Sequence, residues 1–238
     1  MKYVVHKSNS RGSADYGWLK TNYSFSFAEY MNPDRMGFGS LRVLNDDMIA
    51  GGKGFGAHPH NNMEIITVTL SGGLEHKDNM GNIAVSKAGD IQVMSAGSGV
   101  FHSEFNANPD IDLTLLQIWV IPNKHNVIPR YEHRYFDIQS SINTFHQIIK
   151  PIDTDEEGIG IYQDAWFQRA ILEKGKKLEY SLKNSNSGVY LFLISGELSI
   201  DENIKLQARD AVAIWDINKT INIFADKEAN ILLMEIPI

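Results

Sequence analysis

The chain contains no cysteine among its 238 residues. This absence excludes disulfide bonds, zinc–thiolate sites, iron–sulfur clusters and thiol nucleophiles. Any metal site must therefore be built from histidine and carboxylate side chains, whose nitrogen and oxygen atoms are ligands for first-row divalent ions.

Basic residues and long apolar runs are also scarce. The chain has 22 Lys and Arg against 29 Asp and Glu, a formal net charge of −7, which argues against direct nucleic-acid binding. The longest apolar runs, such as residues 231–234, fall far short of the roughly 20 residues that span a membrane. Residues 1–7 hold too few apolar side chains for a signal peptide. We therefore expect a globular cytoplasmic protein without a membrane or nucleic-acid partner.

Patterns typical of β-strands recur at intervals of about ten residues, with glycine turns between them. These segments are rich in β-branched, aromatic and leucine residues; they include residues 23–27, 41–44, 65–70 and 113–121. The spacing predicts an all-β chain folded as antiparallel sandwiches or barrels.

Three other segments predict the connections. Asn45 to Asp47 is an Asn-Asp-Asp sequence that predicts a turn. Residues 122–137 show little apolar periodicity and are expected to connect two halves of the chain. Residues 138–145 are the candidate for a short helix, and few other stretches have helical periodicity.

The second half of the sequence echoes the first. Residues 193–198 resemble residues 69–74, and residues 208–213 resemble residues 88–93. Such internal similarity indicates a duplicated domain.

The two predicted copies differ in one respect. His146 is the last histidine of the chain, so only the first copy can hold a histidine metal site. We expect a metal-binding N-terminal domain at residues 1–135 and a C-terminal domain without that site at residues 136–238.

Two short pairs in the first half predict where the metal binds. His58 and His60 are separated by one residue, as are His102 and Glu104. Alternate side chains of a β-strand point to the same face, so each pair offers two donor atoms to one place. Two adjacent strands would bring the four donors together.

The surroundings of these pairs resemble the two motifs of the cupin superfamily, and longer stretches resemble the pirin family within it. The cupin-like residues are Gly52, His58, His60, Glu64 and Gly72 in the first motif, and Gly89, Ser95, Gly97, His102 and Asn106 in the second. The pirin-like stretches are residues 38–47, 54–67, 74–82, 92–106, 116–122 and 213–216. This resemblance covers nearly the whole chain and is closest to bacterial pirin-like quercetin 2,3-dioxygenases.

The resemblance implies a bicupin, which consists of two tandem antiparallel β-barrels of the jelly-roll kind, with the metal in the N-terminal one. The pirin pattern implies His58, His60, His102 and Glu104 as ligands, whereas the general cupin pattern nominates Glu64 as the carboxylate. On one uninterrupted strand, Glu64 would face the same way as His58 and His60, so alternation cannot choose between the acids. We favour Glu104, and we expect Glu64 to orient a histidine.

Three further residues are candidates for the surroundings of the metal. His76 is expected either at the surface or behind a metal ligand. Phe55 and Met80 are expected to line the pocket, although packing in the core or a turn is an equal alternative for both.

The implied activity is that of a metal-dependent quercetin 2,3-dioxygenase, an oxidoreductase that opens the central ring of flavonols or related aromatic substrates with dioxygen. Glu104 is the candidate base for the flavonol hydroxyl proton. The cofactor is one divalent transition ion, with iron as the first candidate and copper, nickel, manganese, cobalt and zinc as alternatives. Eukaryotic pirins imply a second function, a metal-dependent redox sensor that regulates a protein partner. A structural bicupin with an inert metal is a third hypothesis, and it predicts a pocket too closed for two fused rings.

Overall fold

The computed structural model describes residues 1–218 and 220–238, and their regular structure is almost entirely β. The helical segments described are two short 3-10 helices, Ser8–Ser10 and Ile138–Ser141. The all-β prediction is therefore confirmed, and the helix expected at residues 138–145 is limited to its first four residues. In the described ranges, no helix is long and apolar enough to cross a bilayer.

The chain divides into two compact units. The first unit comprises Gly12–Phe136 and Ile161–Gln163, and the second comprises Met1–Arg11, Asp137–Gly160 and Asp164–Ile238. This division differs from the predicted domains, 1–135 and 136–238, mainly in the placement of Met1–Arg11 and Ile161–Gln163. Strand β1 (Lys2–His6) joins the second unit because it pairs antiparallel with Ala211–Trp215.

The first unit contains two antiparallel sheets. Its strands are β2 (Gly12–Asp15), β3 (Leu19–Tyr23), β4 (Leu41–Ile49), β5 (Gly54–His60), β6 (Glu64–Ser71), β7 (Gly73–Asp78), β8 (Ile83–Lys87), β9 (Asp90–Ser95), β10 (Val100–Asn106), β11 (Leu113–Val120) and β12 (Arg130–Tyr135). One sheet has the order β12-β9-β6-β11-β4-β3-β2, and the other has the order β5-β10-β7-β8.

The second unit has the same pair of sheets. Its remaining strands are β13 (His146–Pro151), β14 (Ile159–Ile161), β15 (Trp166–Leu172), β16 (Lys177–Tyr180), β17 (Ser187–Ser195), β18 (Glu197–Ile200), β19 (Ile204–Gln207), β20 (Ala211–Trp215), β21 (Ile221–Ala225) and β22 (Ala229–Pro237). The orders are β1-β20-β17-β22-β15-β13-β14 and β16-β21-β18-β19. Strand β1 thus occupies the place that β12 has in the first unit.

Matching turns confirm the duplication that the sequence echoes predicted. Gly72 and Gly196 occupy equivalent turns with φ of +78° and +95°. Asp90 Oδ2 accepts a hydrogen bond from the Lys87 amide at 2.6 Å. Asp210 Oδ2 accepts one from the Gln207 amide at 3.0 Å, so the same side-chain turn recurs in both units.

Some local predictions are wrong. Strand β3 ends at Tyr23, so the aromatic alternation of residues 23–27 does not form one strand. Asn45 to Asp47 lies inside β4 instead of forming a turn. The expected connector at 122–137 contains β12, which pairs with β9. Because the side chains of this edge strand are exposed or half-buried, it carries no apolar periodicity.

The interiors of the two units differ. One apolar cluster in the second unit includes residues from both of its sheets. In the first unit, Leu113 and Leu115 at the start of β11 belong to one apolar cluster, and Trp119 near its end packs against another. Gln117 lies between them on the same face of β11. The first unit therefore has polar side chains in the middle of its core.

The turn at Gly196 offers a test of the packing in the second unit. A Cβ atom at Gly196 would lie 2.0 Å from the Glu228 carbonyl oxygen, whereas one at Gly175 would meet nothing within 4 Å. Both glycines have a positive φ, so alanine should cost roughly 1–2 kcal/mol at either position for backbone strain alone. We expect Gly196→Ala to lower the free energy of unfolding by at least about 2 kcal/mol more than Gly175→Ala, measured by urea unfolding. Equal losses would contradict the close backbone approach.

Candidate metal centre

Strands β5 and β10 are antiparallel neighbours and bring three of the predicted ligands together. His102 lies directly opposite His58, and His60 lies opposite Val100. The ring centroids are 4.4 Å apart for His58 and His102, 4.9 Å for His58 and His60, and 5.0 Å for His60 and His102. One donor nitrogen from each ring lies within 4.8 Å of the others.

Hydrogen bonds fix the protonated nitrogen of two of these rings. His58 Nδ1 lies 2.8 Å from the Gly56 carbonyl oxygen and must donate to it. His76 Nε2 lies 3.0 Å from Asp78 Oδ2, so it carries the hydrogen, and His76 Nδ1 is an acceptor. That acceptor is 3.4 Å from His102 Nδ1, which therefore donates. His58 and His102 are both left with a lone pair on Nε2.

The lone pair on His102 fits a metal ligand. His102 Nε2 is buried and makes no hydrogen bond within the described part of the chain. A buried acceptor without a donor is costly unless something satisfies it. A divalent transition ion would do so, because neutral imidazole nitrogen is a preferred ligand for such ions.

Glu104, the fourth predicted ligand, lines the same cavity as the three histidines, which has a volume of about 210 Å³. Its side chain is 3% exposed. Gln92 Nε2 donates to Glu104 Oε1 at 2.9 Å, and Gln117 Nε2 donates to Oε2 at 3.0 Å. Both carboxyl oxygens are thus held in place by the two amides.

Glu104 groups by distance with His76 and His102, and not with His58 and His60. In this second group both nitrogens of His76 are engaged, one with Asp78 and the other with His102. The group of His58, His60 and His102 is the better candidate because the free lone pairs of His58 and His102 face a cavity.

Burial sets the charge state of the cavity. Burial, together with the neighbouring His58, lowers the pKa of His60 to about 4. Burial and the surrounding histidines lower the pKa of His102 to about 3. Burial and the nearby Asp47 raise the pKa of Glu104 to about 7. At neutral pH, His60 and His102 are therefore uncharged and can bind a cation without releasing protons.

Glu64 lies away from this cavity. It is 1% exposed, and Ser95 Oγ donates to its Oε2 at 2.7 Å. The assumption of one strand from His58 to Glu64 is wrong, because β5 ends at His60 and Asn62 has φ of +44° in the turn before β6. The described hydrogen bonds of Glu64 are made to Ser95 and to the Tyr162 backbone rather than to a histidine.

The three other candidates have different positions. Phe55 lines the cavity, with its ring centroid 6.4 Å from that of His58. His76 is fully buried and stacks on Tyr131 at 4.3 Å, so the surface alternative for His76 is wrong and the position behind His102 is the observed one. Met80 is 38% exposed in the turn after Asp78 and is not among the residues that line the cavity.

Several polar residues around the cavity were not predicted from the sequence: Asn45, Asp47, Asp78, Gln92 and Gln117. The sequence contains a pattern that could have predicted the two glutamines, because each is a single amide within a strand that is otherwise mostly apolar. It contains no such pattern for Asn45 and Asp47, because Asn-Asp sequences are more typical of turns.

The chain is similar to several known proteins. The Pirin family model matches residues 4–120, and a model described as the quercetinase C-terminal cupin domain matches residues 148–236. A quercetin 2,3-dioxygenase from Escherichia coli K12 is 39% identical over 233 residues, 98% of each chain. A pirin-like protein from Caulobacter vibrioides is 38% identical over 224 residues, 94% of this chain and 95% of that protein. The crystal structure of bacterial pirin YhhW from Escherichia coli in complex with nickel(II) matches with a TM-score of 0.92 at 38% identity, covering 99% of both chains.

The Asp78–His76–His102 chain of hydrogen bonds predicts the effect of a conservative substitution. In Asp78→Asn the side-chain amide can donate to His76 Nε2, which would reverse the hydrogen bonds and place a hydrogen on His102 Nε2. We expect this variant to bind nickel(II) about 10- to 100-fold more weakly than wild type, measured by competition with a chromogenic chelator.

Asp90→Asn is the matched control for this experiment. Asp90 Oδ2 lies 3.3 Å from His133 Nε2, so the control also alters an Asp–His pair, but one without a connection to the cavity. Equal nickel affinity in the two variants would contradict the role of Asp78.

The buried Glu64 predicts a pH dependence of stability. Burial raises its pKa to about 7 in the folded protein, above the ordinary value near 4.3 in the unfolded chain. Between about pH 4.5 and 7 the Glu64 carboxyl group ionises readily in the unfolded chain but not in the folded protein. The folded protein therefore loses stability as the pH rises through this range. Across this range we expect the free energy of unfolding of wild type to fall by up to about 3 kcal/mol relative to that of Glu64→Gln.

Urea unfolding at several pH values measures this shift. Glu29→Gln is the control, because Glu29 is an exposed loop residue whose carboxyl group stays hydrated on folding. A difference that does not change with pH for Glu64→Gln would rule out the raised pKa.

Proposed function

Because the chain belongs to the pirin family, we propose that it is a metal-dependent dioxygenase that opens the central ring of flavonols such as quercetin. One observation carries this proposal: three imidazoles and one buried carboxyl group line a single cavity that also has aromatic walls. The relative from Escherichia coli that is named quercetin 2,3-dioxygenase supports the substrate class.

The proposed ligands are His58, His60, His102 and Glu104. Three neutral imidazoles and a carboxylate suit a first-row divalent ion, with iron as the first candidate and copper, nickel, manganese, cobalt and zinc as alternatives. The related pirin that was solved in complex with nickel(II) supports a transition ion as the cofactor. When bound, the ion supplies Lewis acidity toward the 3-hydroxyl and 4-carbonyl oxygens of a flavonol and redox chemistry toward dioxygen.

Glu104 is the proposed base. Burial of its carboxyl group disfavours the charged carboxylate, which makes Glu104 a stronger base toward the flavonol hydroxyl than an exposed glutamate. Glu104 accepts the proton of the flavonol 3-hydroxyl, which leaves an electron-rich flavonolate. Reaction with dioxygen then opens the ring, with both oxygen atoms entering the product and one ring carbon leaving as carbon monoxide.

Hydroxyl groups orient the two amides that hold this base. Tyr131 donates from its hydroxyl to Gln92 Oε1 at 3.0 Å, so Gln92 Nε2 faces Glu104. Thr67 Oγ1 donates to Gln117 Oε1 at 3.2 Å, so Gln117 Nε2 also faces Glu104. The carboxyl group is therefore positioned before substrate arrives.

Aromatic side chains form part of the cavity wall. The Trp119 ring lies edge-on to His60 at 5.0 Å, and the Phe27 ring lies edge-on to Trp119 at 5.3 Å. Such apolar walls lower the local dielectric constant and so strengthen the electrostatic interactions beside them.

The second function implied by the family is regulation through a protein partner. That function requires neither consumption of dioxygen nor loss of flavonol. Dioxygen uptake and decay of the flavonol absorbance, after quercetin is added to metal-replete protein, separate the two functions. If neither is observed, the dioxygenase proposal is overturned.

Glu104→Gln tests the role of the base. The variant keeps the three histidines and should retain part of its metal, while flavonol turnover should fall by about 100-fold or more. Elemental analysis gives the metal content, and quercetin absorbance gives the rate.

Glu64→Gln is the matched control, since it also neutralises a buried carboxyl group of the same unit. We expect it to keep its turnover because Glu64 lies outside the cavity. Wild-type turnover in Glu104→Gln would exclude Glu104 as the base.

A further inference from the structure

A second cavity adjoins the metal cavity in the first unit. It has a volume of about 290 Å³, and the two cavities share four wall residues: Phe27, Asn45, Asp47 and Phe55. We call this second space the aromatic cavity, because its other lining residues include Tyr16, Trp18 and Tyr23.

The metal cavity alone is small for a whole flavonol, which has two fused rings and a third ring attached to them. Its volume of about 210 Å³ falls below the range of about 300–1,000 Å³ that is usual for ligand pockets. The aromatic cavity is one adjoining space that would bring the site into that range, and a cleft of about 580 Å³ that shares His60 and Trp119 with the metal cavity is another. A flavonol bound by its 3-hydroxyl and 4-carbonyl in the metal cavity must therefore extend beyond it.

The walls of the aromatic cavity suit a planar ring. Trp18 and Phe55 meet edge-to-face at 5.2 Å, and Tyr23 and Phe27 lie 5.7 Å apart. Aromatic rings prefer such offset and edge-to-face neighbours. Tyr16 is 51% exposed, which places it at the solvent side of this cavity.

Two buried acceptors in the shared wall have no donor. Asn45 Oδ1 and Asp47 Oδ1 are buried and make no hydrogen bond within the residues that the structure describes. The two side chains are 4% and 6% exposed, and they lie on one face of β4 because they are two residues apart. Buried acceptors of this kind are costly to leave unpaired. A ligand that carries hydroxyl groups would supply the missing donors.

We propose that the aromatic cavity is a specificity subsite that receives a hydroxyl-bearing ring of the substrate, with Asn45 and Asp47 accepting its hydrogen bonds. This inference rests on the proposed function, since it assumes that the chelating end of the substrate lies in the metal cavity. In this proposal Asn45 and Asp47 distinguish a flavonol with hydroxyls on its outer rings from one that has only the 3-hydroxyl.

The test compares two probes that share the chelating group. Quercetin carries hydroxyls on its outer rings, whereas 3-hydroxyflavone has only the 3-hydroxyl. Affinity is measured by calorimetry on metal-replete protein without dioxygen, so that the result does not depend on turnover. In Asn45→Leu, quercetin should bind about tenfold more weakly, and 3-hydroxyflavone should bind within about twofold of wild type.

Asn22→Leu is the matched control. Asn22 lies on neighbouring β3 between the inward-facing Thr21 and Tyr23, and it is only half-buried. It should leave both affinities unchanged. An equal loss for both probes in Asn45→Leu, or no loss for quercetin, would overturn the subsite.

Trp18 provides a measurement that needs no change at Asn45. Quercetin bound in the aromatic cavity should quench the fluorescence of Trp18, so the quenching should be smaller in Trp18→Phe than in wild type. Identical quenching in the two proteins would place the ligand elsewhere and overturn the subsite.

Turnover separates this inference from the proposed function. If quercetin binds with the predicted preference but is not consumed under dioxygen, the dioxygenase proposal fails and the subsite stands. If both probes are consumed and Asn45→Leu does not change their relative kcat/KM, the subsite fails and the dioxygenase proposal stands.

Discussion

The hydrogen bond between His76 and His102 is the interaction on which the rest of the candidate site depends. Asp78 makes His76 an acceptor toward His102, which in turn leaves the His102 Nε2 lone pair in a buried cavity without a donor. An apolar core tolerates such a lone pair only if something binds it. The folded first unit thus carries an unsatisfied group whose simplest partner is a cation.

The second unit has the same topology but an apolar interior at the place that corresponds to the candidate metal site. Strand β21 occupies the place of β10, and its inward-facing residues are Ile221, Ile223 and Ala225, which pack in a continuous apolar cluster. The corresponding face of β10 carries His102 and Glu104. Duplication thus provided two similar scaffolds, and the polar core belongs to one of them.

The sequence predicted features that repeat along a strand and missed those that depend on how the chain turns or pairs. The His58–His60 and His102–Glu104 spacings were sufficient to predict which side chains share a face of each strand, because alternation is a local property of strands. The position of Glu64 depends on the turn after His60, which no alternation pattern reveals. Asn45 and Asp47 were misassigned because their composition favours turns, whereas tertiary burial holds them within β4.

An irregularity in β5 explains why Phe55 joins the site. A step of two positions along β10, from His102 to Glu104, is matched by a step of three positions along β5, from His58 to Phe55. One extra residue in β5 makes a β-bulge, which reverses the alternation so that Phe55 and His58 face the same cavity. The bulge also lies at Gly56, whose carbonyl accepts from His58 Nδ1. The same local distortion therefore places an aromatic wall beside the site and leaves the His58 lone pair on Nε2, where a metal ion can bind it.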